Sequence, residues 1–143
     1  MDAMIASNSF YADIYISMGL FFIGSAFLLW LGMRVTSVLV ERNTDNPIAK
    51  GLAVIFGLAV GFNFITTGAQ MALMQQRHAW TLKNYADQGI EIPQTAVAFI
   101  ELMGVGSALP EPSLTSNPIM LVIGLIGTAF CILPLFIPAN SGK

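Results

Sequence analysis

The chain has 143 residues, of which 55% are hydrophobic and 10% charged, with a formal net charge of -2 and a mean hydropathy of +0.72. A typical soluble domain carries roughly 25% charge, and so few charges cannot solvate the large relative surface of a short soluble chain. That excludes disorder, nucleic-acid binding and most cytosolic enzymes, while the single cysteine gives neither an internal disulfide nor a zinc pair.

Lipid is therefore the expected solvent, and each uncharged run of about 20 residues should span it as a helix. Residues 1–13 read as a short acidic tail carrying Asp2 and Asp13. No Lys or Arg precedes the apolar run and no small-residue cleavage site follows, so a secretory signal is not expected. Residues 14–33 are uncharged. Because Arg34 can snorkel from the boundary, the first span is predicted over about 14–36. Tyr11, Tyr15 and Trp30 sit near its ends as expected interfacial anchors, as do Trp80 and Tyr85 after the second span. Asn43 to Pro47 should form a tight turn, with Asn46 capping the next helix and Pro47 at its first position.

The second span, predicted over about 49–76, carries two patterns. Ala53, Gly57, Gly61, Gly68 and Ala72 fall on one narrow side, and Gly57 to Gly61 forms a GxxxG. Lipid gives helices no hydrophobic reason to associate, so close approach over small residues supplies the attraction. Asn63, Thr66, Thr67 and Gln70 occupy the opposite side. Facing acyl chains they would be costly, so they are expected to meet another helix or a hydrated gap. Within one chain the first span can cover one side and the third the other, just satisfying both, while burial of both faces is easier if other subunits or copies join. His78, the only histidine, follows beside Arg77 and reads as a solvated interfacial residue.

Residues 93–108 form a shorter apolar stretch interrupted by Glu101, read as a helix lying at the membrane surface. Were it re-entrant instead, Glu101 would be the candidate proton or ion site. Pro110 and Pro112 stop it, and a Pro- and Ser-rich connector leads into the third span, predicted over about 118–137. This last helix brings Gly124, Gly127, Thr128 and Cys131 to its packing side, and Pro134 should kink or end it. The fold class is thus an all-α membrane protein: an antiparallel hairpin, an interfacial helix and a third spanning helix, in one domain. Arg34, Arg42, Lys50 and Lys143 outnumber Arg77 and Lys83, which puts the N-terminus outside and the C-terminus inside.

No phosphate loop, nucleophile elbow, HExxH or EF-hand pattern occurs. Glu91, Glu101 and Glu111 do not share a helix face, and Met71 and Met74 cannot sit across a haem plane from His78 on the same helix. Neither catalysis, a metal nor a cofactor is expected. The expected role is a non-catalytic subunit that packs with other membrane subunits or with copies of itself, in a bacterial cytoplasmic membrane. Two alternatives are an oligomeric transporter or channel lined by Asn63, Thr66, Thr67 and Gln70, and an electron-transfer subunit using His78. In outline, a glycine-bearing apolar helix, the Asn46-Pro47 turn and a second glycine-rich helix make the chain broadly similar to small polytopic inner-membrane parts of conjugation and type IV secretion machines. That similarity rests on no diagnostic motif.

Overall fold

A computed structural model describes residues 2–137. They form four α-helices: α1 (Asp2–Glu41), α2 (Pro47–Asp87), α3 (Gln94–Met103) and α4 (Pro118–Ile132), the last continuing into a 3-10 turn, Leu133–Leu135. No strand occurs among the described residues. Three helical stretches, α1, α2 and α4 with its 3-10 turn, are long and apolar enough to cross a membrane. Lys143 lies outside the described residues.

Both long helices exceed the predicted spans. Residues 4–13 are not a loose tail: they continue α1, and α2 runs on past Arg77 to Asp87. The cause is mutual support. Tyr11 and Tyr15 of α1 reach Thr81 and His78 of α2, so each helix supplies side-chain partners for the other beyond its uncharged run.

Local chemistry sets the ends. The Asn46 side chain accepts from the N–H groups of Ile48 and Ala49, with Pro47 at the first helical position. In the preceding turn Asn43 takes φ 47°, a left-handed conformation that asparagine tolerates. Gly104, at φ 59°, caps α3 earlier than the expected residue 108. Asn117 caps α4 by accepting from Met120 N–H, and Pro134 brings the change to 3-10 geometry.

Contacts along α1 and α2 run in opposite senses. Gly32 lies against Val60, Ser25 against Asn63 and Thr67, and Tyr15 against His78. α4 is paired with α2 in the same manner: Cys131 and Ile132 meet Gly57, Thr128 meets Gly61 and Met120 meets Gly68. The core lies where the three helices meet, around Leu29, Val60, Phe64 and Cys131. α4 thus begins opposite Gly68, while α2 continues to Asp87, about 28 Å further at 1.5 Å per residue. α1 and α2 project together past α4, and α3 rests against α2 there, with Phe99 5.5 Å from the His78 ring.

Arg34 pairs with an acidic residue two turns further along α1. Its guanidinium extends towards the helix end and meets the Glu41 carboxylate at 3.5 Å, with both side chains more than half exposed.

Candidate functional site

The two sides of α2 meet different fates. On the small side Ala53, Gly57, Gly61 and Gly68 are buried and Ala72 is half-buried. α4 sits so close that a Cβ on Gly57 would lie 2.9 Å from the Cys131 Cβ, and one on Gly61 or Gly68 would collide with Thr128 or Met120. The reverse holds too, since a Cβ on Gly124 of α4 would collide with Ile65 of α2, and one on Gly127 would lie 2.6 Å from Leu29 of α1. Cys131 is fully buried in this seam. α1 closes the seam from the side, where the Thr36 hydroxyl donates to the Cys131 carbonyl in the last turn of α4.

On the polar side the chain covers only part of the stripe. Asn63 and Gln70 are exposed, and Thr66 and Thr67 are half-buried. α1 touches only the edge of the stripe. There the buried Ser25 hydroxyl lies 2.7 Å from Asn63 Oδ1, to which it donates, and 3.1 Å from Thr67 Oγ1. The physical reason is width: α1 must also pack its own Leu29 and Gly32 against Gly127 and Cys131 of α4 and Val60 of α2, which turns it towards α4 and away from the far edge of the polar stripe.

The four polar residues are not equally needy. Thr66 donates to the carbonyls of Phe62 and Asn63, and Thr67 to that of Asn63, so both hydroxyls are satisfied within their own helix. The carboxamides are not. Among the described residues, the Asn63 NH2 donates to nothing and the Gln70 side chain has no hydrogen-bond partner. These side chains line a groove of about 270 Å³ with Met18 and Phe21 of α1. It continues past Asn63 into an apolar stretch beside Leu20, Gly24 and Leu28. On its other flank the connector contributes Pro112, Ser113 and Leu114 beside Thr66 and Gln70.

A second polar cluster occupies the projecting ends. His78 is half-buried rather than solvated as expected. Its Nδ1 lies 2.9 Å from the Tyr15 hydroxyl and its Nε2 3.4 Å from Asn8 Oδ1, while the ring stacks on Tyr11 at 4.2 Å. His78 lies past Arg77, outside the uncharged part of α2, and burial holds its pKa below the ordinary histidine range. Both ring nitrogens face protein partners, one as donor and one as acceptor. Tyr11 and Tyr15 therefore act as helix-pairing residues. Nearby, Arg77 reaches the Pro110 carbonyl at 3.5 Å and Trp80 donates to the Ser107 carbonyl at 3.0 Å, tying the connector to α2. Glu101 is exposed on α3. No group of three or more His, Cys, Asp or Glu side chains converges among the described residues.

Sequence reasoning missed Ser25, Thr36 and the tyrosine–histidine cluster. Signals existed: Ser25 is the one polar side chain between Met18 and Met33, and Tyr11 and Tyr15 are four residues apart on one helix face. Comparison with family models, with curated proteins and with solved structures gives no match.

Proposed function

We propose that the chain is a non-catalytic integral membrane subunit that packs within a larger membrane assembly. Its three long helices cross a bacterial cytoplasmic membrane as an antiparallel hairpin plus a third helix, with the N-terminus out and the C-terminus in. α3 lies at the outer membrane surface, a placement supported by its exposed apolar residues Leu102 and Val97, 77% and 40% exposed.

The observation that carries this reading is the uncovered carboxamide pair, Asn63 and Gln70. A chain built to stand alone in lipid would cover these groups or lack them, because a polar group facing hydrocarbon without a partner costs free energy. A transport path is the weaker reading of the same residues. From Asn63 to Gln70 the stripe covers only about 10 Å of a bilayer core about 30 Å thick. Below it the groove is lined by Leu20, Phe21, Gly24 and Leu28, and among the described residues no ionisable side chain joins it.

The test is extraction of native membranes in mild detergent, followed by sizing of the tagged chain. Migration in a complex of fixed stoichiometry is expected, and migration as a single chain would overturn the proposal. The first partners to look for are components of a conjugation or type IV secretion apparatus, whose small inner-membrane parts the outline resembles.

A further inference from the structure

The groove between α1 and α2 has a definite depth. Gly124 of α4 meets Ile65 and Thr128 meets Gly61, so Asn63 stands level with the middle of α4. The candidate span that contains α4 has 18 residues, only just long enough to cross. Its midpoint is therefore the midpoint of the bilayer, and Asn63 lies there on the outer surface of the bundle. Gln70 stands just past Met120, near the end of the same span.

Resting on the assembly reading above, we propose that the occupant of this groove is a second copy of the chain, docked about a two-fold axis along the membrane normal. Copies inserted in the same orientation present every residue at the same depth. About such an axis Asn63 meets the other copy's Asn63, and Gln70 meets the other copy's Gln70. A carboxamide carries both a donor and an acceptor, so it is complementary to itself. The pairing would supply acceptors for the two unpartnered Asn63 NH2 groups and partners for both Gln70 side chains. Steric access matches. Gly24, beside Asn63, is exposed, and a Cβ there would meet nothing within 4 Å, so an incoming helix can approach the carboxamide closely. The glycine side of α2 cannot serve, since α4 fills it.

The experiment is disulfide trapping in lipid vesicles that contain only this chain, with Cys131 left in place in its buried seam. Thr66→Cys, on the groove floor, should form a covalent dimer under mild oxidation. Leu58→Cys, more exposed than Thr66 but off the groove, should not. Asn63→Leu with Gln70→Leu should lower the dimer fraction at fixed lipid dilution on the order of ten-fold, from two carboxamide pairs at membrane-typical strength, while helix content stays unchanged by circular dichroism. Equal trapping at Thr66→Cys and Leu58→Cys, or a dimer fraction unmoved by the double leucine variant, overturns the two-fold contact. If the pure chain stays monomeric yet native membranes yield a mixed complex sensitive to the same double variant, the second copy is refuted and the assembly reading survives. Monomers in both settings refute both.

Discussion

α2 presents two faces of the same length to very different surroundings. The small face is sealed: three glycines let α4 approach until no side chain could be added without displacing Cys131, Thr128 or Met120. The polar face is open: α1 satisfies one acceptor of Asn63 through Ser25 and leaves the rest of the groove bare. In lipid, small residues bring an internal partner close whereas polar ones reward whichever partner supplies hydrogen bonds. The sealed face holds the chain's own helices together. The open face is the one on which the proposed assembly rests.

The largest effect expected from breaking this contrast is at the seal. Gly57→Ile with Gly61→Ile forces branched side chains into Cys131 and Thr128, and overpacking costs about 1–3 kcal/mol per site. Cys131, fully buried in the folded chain, should become rapidly reactive towards a membrane-permeant thiol reagent; continued protection would show that α4 does not depend on the glycines. A smaller effect is expected at Thr36→Val, which keeps the shape but removes the donor to the Cys131 carbonyl. A loss of about 1 kcal/mol in an unfolding titration in detergent is expected. At the projecting ends, Tyr15→Phe deletes the bond to His78 and should cost about 0.5–1 kcal/mol. It should be seen as faster amide exchange around residues 78–85 with no change near residue 60. The smallest effect belongs to the open face. Thr66→Val should alter the stability of the single chain by no more than a few tenths of a kcal/mol, because the lost hydroxyl bonded only to its own helix. A larger loss would mean that the stripe already has an internal partner.

Features governed by adjacent residues were legible in the sequence. Asn46 and Pro47 define a helix start through bonds spanning two or three residues, and the GxxxG of Gly57 to Gly61 marks a close-packing side whatever packs on it. What could not be read was which neighbour takes which side. That depends on how far α1 can turn while covering Val60 and Phe64 at once, and it left Asn63 and Gln70 outside. Helix length was underestimated for a related reason. Charges such as Asp13 and Arg77 end an uncharged run but do not stop a helix, and α1 and α2 continue because tyrosines on one find His78 and Thr81 on the other. The single histidine, which invited a solvated reading, owes its place to a register that emerges only when two distant segments are aligned.

The connector has a consequence for how the bundle keeps its own parts. Arg77 and Trp80 hold the carbonyls of Pro110 and Ser107 against α2, so only a short tether separates that anchor from the start of α4 at Pro118. A short tether places α4 at a millimolar effective concentration beside its glycine seat. A neighbouring molecule's α4 competes poorly with that, so crowded copies should assemble without exchanging helices.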